Sequence, residues 1–428
     1  MSTPTAQRSN LMVGLVLLTF FVISFLTNIL GPLIPDMISS FDLSVGLAGF
    51  LPFSFFVAYG VMSIPAGLLM ERYSGKMVIL TAFIIAGAGA LLFGLFPRFA
   101  VALPSLFMIG IGMAMLQVVI NPLLRVSGGE ERFAFNSVMA QLFFGSASFL
   151  SPLLYSYLVL HVHKDTSPSW FIAIFNQLVP ASLSWVSLYW IFSLITVAML
   201  TVVWLIPFPK VELKEDERIE VGSALTSLLS NRYAILFFIG IFCYVGSEQG
   251  IANWTSRFLQ EYHQVDPATQ GASVISYFWG MMTVGCLLGL VLLKLFDSKH
   301  VLVFFTSCAL ISLSVALFGP TDVALIAFPA TGFFASVMWS ITISLALNSV
   351  PSHHGTFAGI LCTGIIGGAV VPLIIGGLAE RFGLRYAMMF LFLTLGYVLS
   401  MGIWARPLIR NKTIRFSQLF KRTETQET

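Results

Sequence analysis

Charge is what this 428-residue chain has least of: Asp, Glu, Lys and Arg make up 10% of it, against about 25% in an ordinary soluble domain. Most of its surface must therefore face something other than water. The net charge of +3 is too small to suggest a nucleic-acid partner. Cysteine is equally scarce. Cys243, Cys286, Cys308 and Cys362 all fall inside apolar runs, and no two have a CxxC or zinc spacing, so they read as small buried hydrophobes. The histidines, His161, His163, His263, His300, His353 and His354, all fall in expected loops or at helix ends. No catalytic cluster is therefore expected at membrane depth. A membrane-embedded enzyme would need a nucleophile, a metal cluster or paired carboxylates, so the chain is read as a non-enzyme with no cofactor. The short alternating segments of a spanning β-barrel are also missing.

What the chain does have is 57% hydrophobic residues, with 40 Phe and 8 Trp suited to lipid-facing walls and interfacial belts. A spanning helix needs about 20 apolar residues. The apolar runs place such helices at 11–37, 44–70, 76–96, 99–124, 132–160, 182–206, 232–259, 269–293, 300–318, 322–348, 355–379 and 385–405. The first run is too long for a signal h-region, and residues 1–10 carry no cleavage-site pattern, so it is expected to be a retained membrane helix. The largest polar break, 207–231, divides the helices six and six; a smaller one covers 161–169. The expected fold is an all-α integral membrane protein of twelve transmembrane helices in two pseudo-symmetric six-helix bundles. Its parts would be bundles at 1–206 and 232–405, a linker at 207–231 and a tail at 406–428. With the N-terminus in the cytoplasm, 17 of the 22 basic residues fall on the cytoplasmic side and 5 outside, the bias that orients membrane helices. Both termini are thus expected in the cytoplasm, with the basic tail against anionic lipid.

The halves echo each other at an offset of 222 residues: Gly67 meets Gly289, Arg72 meets Lys294, Gly110 meets Gly332, Phe135 meets Phe357, Gly145 meets Gly367 and Ala147 meets Ala369. Paired halves of this kind recur in transporters, with the solute site at their interface near the midplane. Polar residues at membrane depth usually face a cavity or a partner. Glu248 stands out, within Tyr244-Val245-Gly246-Ser247-Glu248-Gln249-Gly250-Ile251-Ala252-Asn253-Trp254. Buried, it either binds a coupling cation or stays neutral and hydrogen-bonded to a neighbouring helix. Asp36, Asp42 and Asp322 lie near helix ends and read as caps. Gln117 and Asn121 share a helix face, as do Gln249 and Asn253, each pair being four residues apart. Gln141 and Asn28 lie on two further spans. Amides both donate and accept, which suits a ring of sugar hydroxyls, although each could equally tie helices together. Trp254, Tyr277, Trp279 and Trp339 offer faces for a sugar or serve as packing.

The stretch Gly67-Leu68-Leu69-Met70-Glu71-Arg72-Tyr73-Ser74-Gly75-Lys76 resembles the signature loop of the major facilitator superfamily. Gly67, Glu71, Arg72, Gly75 and Lys76 would then form a gating and structural loop, and Ala379-Glu380-Arg381-Phe382-Gly383 is a weaker relative of it. Taken with Asn121-Pro122, Ala140-Gln141 and the Tyr244–Trp254 stretch, the chain over 11–405 is similar to the fucose/galactose/glucose symporter family of that superfamily. The resemblance implies the major facilitator fold, a central cavity and alternating access by rocking of the bundles. Proton-coupled fucose carriers have acidic residues in the first and fourth helices, where this chain has Gly31 and Gln117; a family asparagine falls at Phe144. Glu248 is instead similar to the Glu of sodium-dependent glucose carriers, which favours Na⁺ over H⁺, with Ser247, Asn28 and Asn253 as further ligand candidates.

The expected function is a cation-coupled sugar importer, for a hexose, of the bacterial inner membrane, working as a monomer in the lipid bilayer. Glu248 would bind the cation, and is the metal ligand if that cation is Na⁺. Asn28, Gln117, Asn121, Gln141, Gln249, Asn253 and Trp254 would bind the sugar. The alternative is an efflux carrier of the same fold for apolar drugs or lipids, which the Phe and Met content allows and the inward amides oppose.

Overall fold

The computed structural model describes residues 10–128, 133–166, 168–208, 230–349 and 354–406. Most of the expected linker, the tail beyond Arg406, and His353 lie outside the described residues. Among the described residues there is no strand, and twelve helical spans are long and apolar enough to cross a membrane. They are α1 (Asn10–Phe41), α2 (Val45–Met70), α3 (Gly75–Leu95), α4 (Phe99–Gly128), α5 (Asn136–His161), α6 (Ala181–Leu205), α7 (Arg232–His263), α8 (Pro267–Leu295), α9 (Ser298–Phe318), α10 (Thr321–Leu347), α11 (Phe357–Phe382) and α12 (Leu384–Trp404).

The boundaries follow from local chemistry. Side chains cap the starts of several helices: Ser74 accepts from the Met77 N–H, Asn231 from Tyr233, Asp266 from Ala268 and Asp297 from Lys299. The left-handed residues Asp42 (φ 51°), Gln264 (φ 54°) and Gly383 (φ 80°) mark the ends of α1, α7 and α11. The spans α1 and α7 run further than their apolar runs, because polar end residues such as Ser39, Ser40, Gln260 and Glu261 continue the helix. One element was not expected. A short helix, Trp170–Leu178, capped by Ser169, lies between α5 and α6 and buries Ile172 and Phe175.

Buried side chains form two cores. One is built almost wholly from α1–α6 and the other almost wholly from α7–α12. The repeat read at an offset of 222 is visible in their packing. Gly110 of α4 lies against the Phe55 carbonyl of α2, and Gly332 of α10 lies against the Phe278 carbonyl of α8. A β-carbon on either glycine would overlap that oxygen, so both crossings require glycine.

The loop after α2 also has a counterpart. Lys76 donates to the Trp204 and Ile206 carbonyls at 2.8 and 2.9 Å, at the end of α6. Lys299 donates to the Ile403 and Ala405 carbonyls at 3.4 and 2.9 Å, at the end of α12. Each lysine therefore satisfies carbonyls that a helix end leaves without partners. The expected turn is shorter than Gly67 to Lys76: Gly67 lies within the helix, which continues to Arg72, and only Tyr73 and Ser74 break it before Gly75 opens α3. The Arg72 guanidinium lies 5.7 Å from the Tyr73 ring centroid. Nothing is described of the Glu71 side chain.

The halves press together at the end away from the chain termini. A β-carbon on Gly31 of α1 would overlap the Ala252 carbonyl of α7. One on Gly49 of α2 would lie 3.2 Å from the Leu373 Cα of α11. Nearer the middle, Ser276 of α8 donates to the Phe149 carbonyl of α5 at 2.6 Å.

Candidate functional site

Three spans are locally distorted while their backbone stays right-handed helical. Helix α1 is distorted at Asn28–Ile29, where the backbone stays right-handed and the Asn28 N–H still bonds the Ser24 carbonyl at 3.0 Å. Helix α10 is distorted at Ser336–Val337, and α11 narrows to a 3-10 turn at Gly364–Ile366. Irregular backbone at membrane depth is tolerated where it lines a cavity. Here Asn28, Ser336 and Ile365, one from each distortion, stand in the wall of one central cavity of about 160 Å³. That is room for several waters or one small solute.

The wall is divided between the halves. The first half supplies Thr27, Asn28, Tyr59, Gln117, Gln141 and Ser148, with Phe20, Phe56 and Phe144. The second supplies Tyr244, Glu248, Gln249, Trp279, Thr283, Trp339 and Ser340. Among the described residues of this wall Glu248 alone carries a formal charge. It is half-buried, and its carboxylate accepts from the Tyr244 hydroxyl one turn before it and from the Gln249 amide at 3.2 Å. No basic side chain pairs with it among the described residues. The carboxyl thus faces neither lipid nor a neutralising partner.

A hydrogen-bonded chain runs from it across the seam. Gln249 Nε2 lies 3.5 Å from Asn28 Oδ1, and Asn28 Nδ2 donates to Ser148 at 2.8 Å. Gln117 and Gln141 also reach the cavity, and no described protein group hydrogen-bonds their amides. The indole N–H of Trp279 is buried and has no acceptor among the described residues.

The other expected residues lie elsewhere. Asn253 is fully buried outside the wall and donates to the Gln249 carbonyl at 2.8 Å, so it braces Gln249. Trp254 is 0% exposed, and its indole donates to the Pro372 carbonyl at 3.0 Å, tying α7 to α11. Ser247 turns away to Cys243 and Thr394. Tyr277 is on the outside, 55% exposed. The Asn121 side chain lies outside the described residues. Asp36 is not a cap: it sits within α1 and accepts from the Tyr155 hydroxyl of α5 at 2.7 Å.

Tyr244 was missed as a site residue, although its position one turn from Glu248 puts it on the same face. Ser148 and Thr283 gave no comparable signal, since isolated hydroxyls are common in membrane helices. Among the described residues there is no group of three or more His, Cys, Asp or Glu for a metal ion. One carboxylate among neutral oxygens suits a single monovalent cation or a proton instead.

Residues 16–365 match the family model of the Major Facilitator Superfamily. This chain belongs to the major facilitator superfamily. It is 30% identical over 412 residues to a glucose/galactose transporter of Brucella abortus biovar 1 (strain 9-941), covering 94% of this chain and 96% of that one. It is 26% identical over 381 residues to the L-fucose-proton symporter of Escherichia coli K12, covering 85% and 86%. A crystal structure of the E. coli fucose:proton symporter superposes with a TM-score of 0.66 at 21% identity, over 92% of this chain and 98% of that one. The major facilitator fold expected from the sequence is thereby shown, as a multi-pass membrane protein of a transporter family and not an enzyme.

Proposed function

We propose that this major facilitator protein imports a neutral sugar, a hexose, together with a cation, and that Glu248 binds the cation. The observation that carries this reading is the wall itself: one carboxylate, a set of amides and hydroxyls from both halves, and aromatic faces. Without a lysine or arginine among its described residues, the wall favours a neutral polyol over an anion. The unspent amides of Gln117 and Gln141 oppose an apolar drug or lipid as cargo, because each would be left without a partner. The relatives named as glucose/galactose and fucose transporters agree in substrate class.

The coupling follows from electrostatics. With Glu248 ionised and unpaired, closing the cavity would bury a bare charge. A bound cation removes that penalty, and Gln249 and Asn28 carry the change to the first half. Na⁺ is favoured over H⁺ for a steric reason. At Gly31, where fucose carriers have an acidic residue, the Ala252 carbonyl leaves no room for a side chain, and the other position is Gln117. The Tyr244 hydroxyl supplies a neutral oxygen at the carboxylate, and the Asn28 side-chain oxygen lies one hydrogen bond further on, beyond Gln249.

The bundles at 1–206 and 232–405 are the rocking units, the working form is a monomer, and the membrane is the bacterial inner membrane. Both termini are cytoplasmic, which makes the closed end of this structure the outer one. The experiment is radiolabelled hexose uptake in proteoliposomes, with Na⁺ and proton gradients imposed separately. A Na⁺ gradient is expected to drive accumulation, and Glu248→Ala is expected to abolish it while leaving sugar exchange. Normal accumulation by Glu248→Ala would refute the assignment.

A further inference from the structure

The motif Ala379-Glu380-Arg381-Phe382-Gly383, at the end of α11, plays no part in the cavity. Its carboxylate nevertheless crosses the seam. Glu380 Oε1 accepts from the backbone N–H of Gly46, in the first turn of α2, at 3.1 Å. That turn leaves N–H groups without helical partners. Ser44 satisfies Leu47, and Glu380 satisfies Gly46 from the opposite half. An anion here also meets the positive end of the helix. The approach depends on the absence of a side chain at 46: a β-carbon there would lie 2.5 Å from Glu380 Oε1 and 2.9 Å from Oε2.

The surroundings are shaped to bring the two helices together. A β-carbon on Gly376 of α11 would lie 3.0 Å from the Val45 carbonyl and 3.4 Å from the Gly49 Cα. Packing this close separates sharply once the halves tilt, and the Gly46 N–H would then return to water. We propose that Glu380 is the latch of the closed end: it stabilises the state in which the end away from the termini is sealed, and it lets go when that end opens. The latch needs only that the two halves move against each other, so it is independent of which solute the cavity takes.

Spin labels at Leu47→Cys and Phe382→Cys, both on exposed positions (45% and 62%) flanking the seam, report the closed end through distances measured by double electron–electron resonance. Cys243, Cys286, Cys308 and Cys362 are replaced by serine or alanine, and the protein is studied purified, without sugar. The short distance is expected to dominate in the parent. Glu380→Ala and Gly46→Ala should each raise the open-to-closed ratio about fivefold, the effect of losing one helix cap. The double variant should match either single one, because both remove the same contact. Glu380→Gln keeps the shape and the acceptor oxygen without the charge and should give a smaller rise. A parent-like distribution in Glu380→Ala, or additive effects in the double variant, would overturn the proposal. If Glu380→Ala does not yield folded protein, a parent-like distribution in Glu380→Gln overturns it instead.

Discussion

At the scale of single residues, the proposed cation site depends on how Glu248 is held. Its carboxylate receives a hydroxyl from Tyr244 and an amide from Gln249, both on α7, so a single helix sets its position. Removing the Tyr244 hydroxyl leaves the ring in the wall but strips one donor from the carboxylate. A hydrogen bond to a charged group is worth roughly 1.5–3 kcal/mol. Tyr244→Phe is therefore expected to change the cation concentration for half-maximal uptake by at least about tenfold. Sugar exchange at saturating cation should change far less. Uptake titrated against the cation, beside exchange, checks this split, and an equal change in both would place Tyr244 on the sugar instead.

At the scale of elements, the paired lysines explain why the loops between α2 and α3 and between α8 and α9 are built alike. Lys76 and Lys299 each open the third helix of a half and close the carbonyl end of the sixth. A cation at a helix C-terminus contributes about 0.3–1 kcal/mol. Lys76→Ala is expected to lower the thermal midpoint by about 2 °C, with Lys76→Arg closer to the parent and the cation dependence of uptake unmoved. A thermal melt beside an uptake titration tests this. A shift in cation dependence would return Lys76 to the gating role expected from the loop motif.

At the scale of the whole molecule, transport requires that the seam at the far end both close and open. Gly31 sets how close the halves come, since α1 meets the Ala252 carbonyl there without a side chain between them. Overpacking by a methyl group costs about 1–3 kcal/mol. Gly31→Ala is accordingly expected to lower the initial uptake rate by about tenfold or more, while sugar binding to the purified protein persists. Parent-like uptake by Gly31→Ala would show that this contact does not form in the working cycle.

Composition and hydropathy alone determined the number of spans and the division into halves, because a bilayer admits only long apolar helices and punishes stray charge. The same scarcity of charge exposed Glu248, since a lone carboxylate in an apolar run has few reasons to be there. The residues of the cavity were legible only in part. Asn28, Gln117, Gln141 and Gln249 line it, while Asn253 and Trp254, on the same helix as Gln249, turn to the Gln249 backbone and to Pro372. Helical spacing tells which residues share a face but not which neighbour that face meets. Only the tertiary structure decided that Tyr244 and Ser148 complete the polar chain, that Asp36 pairs with Tyr155, and that Glu380 reaches Gly46. Each of those contacts except the Tyr244 bond joins segments far apart in the chain. Their partners are chosen by how the two bundles pack, and no local pattern of residues encodes that.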